Sequence, residues 1–289
     1  MKKLYLIPFS FVFFCFAHAD AQTAKIITGF HHVESVAVAD GFLYAADIGV
    51  ELKPSAKDGD GQIIKMDKAG TIIDAQFVKT KLNAPKGLAI YKGILYLTDI
   101  DRVLGIDIAT GTVSYEIDFS KDASFLNDIA VWDEHTLFVS ATDKSKLFRL
   151  DLVEKTYAEV KTSVSIPGIN GLFCKKRSDR LYVNGFGSEN KPNGIVGYIS
   201  LKDNHFTKID VPEGYYDGLA LNNGILYTSD WVAFEAKGVV REMATNNFNK
   251  VKKTTFSLQI PGPADFVISG SEMFVPAMLS GEIYIFSIY

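Results

Sequence analysis

"DGLALNNGILYTSDW", Asp217 to Trp231, reads as two short strands around a turn. Leu219 to Leu221 form an apolar run, Asn-Asn-Gly supplies the turn, and β-branched and aromatic residues follow. A carboxylate directly before a buried run is either solvated punctuation or an inward-pointing ligand. The stretch alone leaves both readings of Asp217 open, but it recurs. "ESVAVADGFLYAADI" starts at Glu34 and "KGLAIYKGILYLTDI" at Lys86. "NDIAVWDEHTLFVSATD" starts at Asn127, "NGLFCKKRSDRLYVNGF" at Asn170 and "DFVISGSEMFVPAML" at Asp265. The steps between leading residues are 52, 41, 43, 47 and 48, the size of a propeller blade.

Each copy continues into a third strand, such as "GQIIKMD" or "KLFRLDL", and usually a fourth, such as "TVSYEIDF" or "HFTKIDV". No stretch carries sustained helical periodicity. Four strands repeated six times predict an all-β chain, a six-bladed β-propeller of four-stranded blades. The sixth copy stops after its third strand. The strand-like "TAKIITGF" (23–30) is expected to complete that last blade and tie the ring, leaving no open edge. Tyr44, Tyr96, Phe138, Tyr182, Tyr227 and Phe274, one per repeat, are expected to fill the space between blades. The first repeat carries an insertion, "DIGVELKPSAKDGDGQ", of the kind that emerges on a binding face. Its Asp58 and Asp60 lack the remaining ligands of a calcium loop.

The 289 residues, 47% hydrophobic and 22% charged, are those of a globular protein, and a net charge of −4 argues against nucleic acid as partner. A basic "MKK", the apolar "LYLIPFSFVFFCF" and the small-x-small sites of "AHADAQ" read as a secretory signal over residues 1–21. Cleavage falls after Ala19 or Ala21. One propeller domain over 22–289 remains, exported to a periplasm or secreted, with no later membrane span. Cys174 is then the one cysteine left, so no internal disulfide is available. No Gly-x-Ser-x-Gly elbow and no phosphate loop is present.

In a propeller the first strand of each blade lines a central channel. The leading residues Glu34, Lys86, Asn127, Asn170, Asp217 and Asp265 are therefore expected to meet at its mouth. Glu34, Asn127, Asn170 and Asp217 offer two carboxylates and two amide carbonyls. That hard-oxygen set suits Ca2+, with Mg2+ or Mn2+ as alternatives, and leaves coordination positions for water and substrate. Without a cation, three carboxylates and one ammonium crowd the mouth, which raises at least one carboxylate pKa.

The motifs "VESVAV", "LNDIAV", "INGLFC" and "YDGLAL", in blades one, three, four and five, resemble the regucalcin, gluconolactonase and luciferin-regenerating-enzyme (senescence marker protein) family. More distantly, the frame is similar to paraoxonase-like lactonases. The resemblance implies Glu34, Asn170 and Asp217 as metal ligands and Asn127 as a ligand of metal or substrate. It implies Asp217 as general base in hydrolysis of a lactone or related ester. Two departures stand out. The first motif lacks the family's Pro and Trp, and Phe125 stands where sugar-lactone members carry arginine. Phe125, Tyr215 and Tyr216 are then expected to form an aromatic substrate rim. Lys86 is a candidate to polarise a carbonyl, and His32, with His31 beside it, a candidate base near Glu34. Asp47, Asp99, Asp143 and Asp230 close second strands and are either turn caps or supports of the ligands. The alternative function is a non-catalytic propeller that holds a metal or small ligand.

Overall fold

The computed structural model describes residues 24–246, 251–253 and 258–288. The expected signal segment lies outside them. Among the described residues twenty-four strands form six four-stranded antiparallel sheets arranged as blades around a channel. The innermost strands of the first five blades are Val33–Ala39, Pro85–Tyr91, Leu126–Val131, Ile169–Cys174 and Tyr216–Asn222. In the sixth, the innermost strand is Val267–Ser269, and the outermost is Lys25–Thr28 from the N-terminal side. Lys25–Thr28 pairs antiparallel with Glu282–Ser287, so the two ends of the described chain close one sheet, as the sequence predicts. One short 3-10 turn, Thr142–Lys144, interrupts the all-β pattern. No helix among the described residues is long and apolar enough to cross a membrane.

The apolar residues sort by blade junction. One buried cluster fills each of the six junctions, and each holds one member of the aromatic series. Tyr44 meets Phe77 edge-on, with ring centroids 5.2 Å apart, between blades one and two. Phe274 seals the joint between blades six and one, where the closure strand contributes Ile27. Burial of such a side chain is worth about 1.5–3 kcal/mol. The ring is thus held by six equivalent apolar joints rather than by one central core. A seventh cluster, which includes Ile48, Tyr215, Trp231, Ala264 and Met278, lies at the face where the insertion sits.

Every inner strand bulges at its leading residue. In blade three Leu126 faces Ala141 and Ile129 faces Val139, so Asn127 and Asp128 together span one partner. The register is equivalent in blades one, two, four and five. The sixth blade corrects the sequence reading. Pro263 pairs with Ala277 as Tyr216 pairs with Asp230, and Ser35 bridges Asp265 in parallel. Ala264 therefore occupies the leading position, and Asp265 sits one residue deeper, level with Ser35, Asp128 and Gly218.

That deeper level explains its residue types. A Cβ on Gly171 would lie 2.0 Å from the Asp217 carbonyl oxygen, and one on Gly218 2.8 Å from the Asp265 Cα. Neighbouring backbones approach so closely there that only glycine fits. Where a side chain is present it reaches sideways. The Ser35 hydroxyl donates to Asp265 at 2.7 Å, and Asp128 accepts the Leu172 N–H at 2.5 Å. Side chains of the second strands satisfy the bulges. Ser140, Asn184 and Ser229 accept the N–H groups of Asp128, Gly171 and Gly218 at 2.7–2.8 Å. Thr98, Asn184 and Ser229 then donate to the carbonyls of Asn127, Asp217 and Ala264 in the next blade. The backbone of each of those leading positions is pinned from two blades.

Candidate functional site

The pinned backbone presents Glu34, Lys86, Asn127, Asn170 and Asp217 at equivalent positions around one end of the channel, all buried. Four buried side-chain oxygens there have no hydrogen-bond partner among the described residues: Glu34 Oε2, Asn127 Oδ1, Asn170 Oδ1 and Asp217 Oδ1. Buried polar atoms are nearly always paired, so four orphaned acceptors at one level of one channel call for a donor or a cation. They are the four oxygens that the sequence groups as a hard-cation set, and the donor chemistry fits such an ion. Among the described residues no three or more His, Cys, Asp or Glu side chains gather to hold a metal, so an ion here needs the two amides as well as the two carboxylates.

The electrostatics follow from burial. Glu34 is held well above the usual carboxylate range, first by burial, then by the charges of Asp217 and Asp265, with Lys86 opposing. Asp217 is raised by burial and by Asp265, while a hydrogen bond from Trp231 pulls the other way. Asp265 is pushed up to about 7 by burial, against its bonds to Ser35 and the Phe266 backbone. Burial lowers Lys86 to about 8, with Glu34 and Asp99 opposing. The Lys86 ammonium donates to the Ala84 carbonyl at 3.0 Å and lies over the Phe125 ring, 4.5 Å from its centroid.

A cavity of about 320 Å3 opens above this floor, with Glu34, Lys86, Asn170 and Asp217 among its lining. Its walls are apolar: Leu52 and Pro54 from the insertion, Phe125, Phe186, Trp231 and Phe234. Phe186 meets Trp231 edge-on at 5.3 Å, and Trp231 lies 5.6 Å from Phe234. The Trp231 indole N–H donates to Asp217 Oδ2 at 3.1 Å, leaving Oδ1 free. Val232 next to it adopts φ 61°, an uncommon conformation for a β-branched residue, and the Asp230 carboxylate accepts its N–H at 2.9 Å.

Two expectations need correction. Tyr216 does not form the rim. The strand alternates, so the residue before the leading position packs between blades, and Tyr216 is fully buried beside Leu219 and Met243 with its hydroxyl on the Pro212 carbonyl. His32 does not line the cavity, and its Nδ1 lies 3.0 Å from the Met278 carbonyl oxygen. Of the two readings of Asp47, Asp99, Asp143 and Asp230, turn caps or supports of the ligands, the structure bears out the caps. Asp47 accepts the N–H groups of His31 and His32, Asp99 those of Asn83 and Ala84, and Asp143 that of Ser124. Each clamps the loop that leads into an inner strand, except Asp230, which binds Val232 and Arg241. Of the remaining candidates, Phe125 lines the cavity, Asn127 lies in the ring, and Tyr215 packs against Phe186 with its hydroxyl on the Asn190 carbonyl. Asp60 binds the Val50 N–H within the insertion. Burial pushes the Cys174 thiol up to about 12, away from the thiolate form that reacts.

The sequence reading missed Trp231, Phe186 and Phe234. Each follows a second strand on the loop that bears the mouth, and Trp231 closes the quoted stretch itself.

No family model matches the chain, and no curated protein matches it. Solved structures do match in fold. A catalytically inactive virginiamycin B lyase from Staphylococcus aureus, crystallised with quinupristin, is 16% identical at a TM-score of 0.62, covering 92% of this chain and 99% of that one. A streptogramin B lyase structure is 12% identical at a TM-score of 0.63, covering 94% and 100%. A chain of a nidogen/laminin complex is 12% identical at a TM-score of 0.60, covering 92% and 94%. At these identities the likeness shows the fold alone, a six-bladed β-propeller, and that fold serves enzymes and a binding complex alike.

Proposed function

We propose that this propeller is an exported hydrolase of lactones or related esters that works with a divalent cation, Ca2+ before Mg2+ or Mn2+. The observation that carries the reading is the set of four unpaired buried oxygens on Glu34, Asn127, Asn170 and Asp217. Those residues would hold the ion, and when bound it supplies positive charge that polarises a carbonyl and acidifies water. Trp231 fixes one oxygen of Asp217 and leaves the other to take a proton. Lys86, next to Phe125, places an ammonium at the same floor, where it stabilises negative charge developing on the ester oxygen. The apolar walls exclude bulk water and strengthen each of these interactions. The lyases of the same fold lend support to an enzyme reading, in the fold only. The same oxygens also serve a propeller that binds a cation or ligand without chemistry, and kinetics separates the two. Lactones and aryl esters are assayed with Ca2+ and with chelator. Turnover that needs the cation and disappears in Asp217→Asn supports the hydrolase, whereas cation binding with no turnover of any substrate leaves the binding propeller.

A further inference from the structure

We infer that the mouth selects ligands with an apolar alkyl or aryl group and rejects polyhydroxylated ones. This rests on the mouth being the reacting site. The contrast between floor and wall carries it. Glu34, Lys86, Asn170 and Asp217 are sunk into the floor, with Lys86 only 1% exposed, so they meet just the reacting end of a ligand. Above them the lining is apolar except for Thr142, whose hydroxyl is already given to the Ile169 carbonyl at 2.9 Å. Phe186, Trp231 and Phe234 form an edge-to-face aromatic wall, and Leu52 and Pro54 add an aliphatic one. The indole N–H, the one donor of the aromatic wall, is already given to Asp217.

A ring hydroxyl placed against these walls loses its water and gains no partner. An alkyl chain gains about fourfold in affinity for each methylene buried. The cavity's 320 Å3 takes a five- or six-membered ring with a short chain or an aryl group. The wall also continues outward. Phe234 is 56% exposed and Leu52 44%, and the exposed Val50 and Val232 stand two residues before Leu52 and Phe234 in the two loops. Phe125 brings a third apolar face.

The test measures binding without turnover. Two lactams of the same ring size, which resist hydrolysis, are titrated against the Trp231 fluorescence of a Trp132→Phe protein. One carries a pentyl chain, the other a full set of hydroxyls. The pentyl lactam is expected to bind about tenfold more tightly or better. Phe234→Ser and Leu52→Ser, both at exposed positions, are expected to remove most of that preference and leave the hydroxylated lactam unchanged, with circular dichroism and the melting temperature confirming that each variant folds. A hydroxylated lactam that binds equally or more tightly overturns the inference, as does a preference untouched by both variants. Failure of every lactone to turn over would count against the hydrolase and not against this selectivity.

Discussion

Two adjacent levels of the channel hold the same chemistry in opposite states. At the mouth Glu34 and Asp217 are buried carboxylates, each with an oxygen that nothing among the described residues satisfies. One residue deeper, Asp128 and Asp265 are also buried and also raised in pKa, yet they are bonded. Asp128 accepts the Ile129 and Leu172 N–H groups at 2.6 and 2.5 Å, and Asp265 accepts from Ser35. Beyond them a second cavity, of about 330 Å3, is lined mostly by aliphatic residues of the inner strands. Burial and charge therefore do not distinguish a site from a scaffold here. What distinguishes them is whether the acceptor is already used. The paired acids join blade to blade, and the unpaired ones wait for a ligand.

Substitution at the two levels should break this symmetry. The largest effect is on activity: Asp217→Asn is expected to lower kcat by about 10²- to 10⁴-fold in steady-state assays with cation present. In chelated protein the same change should leave the melting temperature unchanged or raise it, because it removes a buried charge that nothing neutralises. Asp128→Ala should do the reverse. It strands two backbone N–H groups between blades three and four and should cost about 2–4 kcal/mol in denaturant unfolding. Equal destabilisation by both changes would erase the distinction between the levels.

Trp231→Phe keeps the wall and removes the donor. It should lower kcat by about tenfold with little change in KM for an apolar substrate. A rise in KM alone would make Trp231 wall and nothing more. The smallest effect is in pH. Carboxylates whose folded pKa is raised bind protons more tightly in the native state, so their contribution is complete below the ordinary carboxylate range. It is lost as pH rises through the folded value, about 7 for Asp265. Chelated protein should therefore melt a few degrees lower at pH 8 than at pH 5, and Ca2+ added at pH 8 should recover the difference.

The repeat made the blades legible, because a turn and a Leu-Tyr strand mark each one and the aromatic lands in each junction. The leading polar residue marked the ring for the same reason in five blades. In the sixth the signal misled. Asp265 precedes an apolar run as Asp217 does, but the bulge puts two residues opposite one partner. A lone polar residue can then fall at either level, and only the pairing of Pro263 with Ala277 decides. Tyr216 misled through strand alternation, since a residue adjacent in sequence faces the opposite side. The aromatic wall was not legible at all. Phe186, Trp231 and Phe234 come from loops of two blades, and nothing periodic in the chain announces that they meet. Asp128 was hidden beside Asn127, where one polar pair reads as a single signal.

The central claim is that the unpaired ring oxygens form a cation site, and anomalous diffraction from crystals grown with Ca2+ tests it most directly. The account predicts a peak at the channel mouth, ligated by oxygens of Glu34, Asn127, Asn170 and Asp217 at about 2.3–2.6 Å. A mouth with no peak, in which the Lys86 ammonium has swung from the Ala84 carbonyl to bridge Glu34 and Asp217, would contradict it.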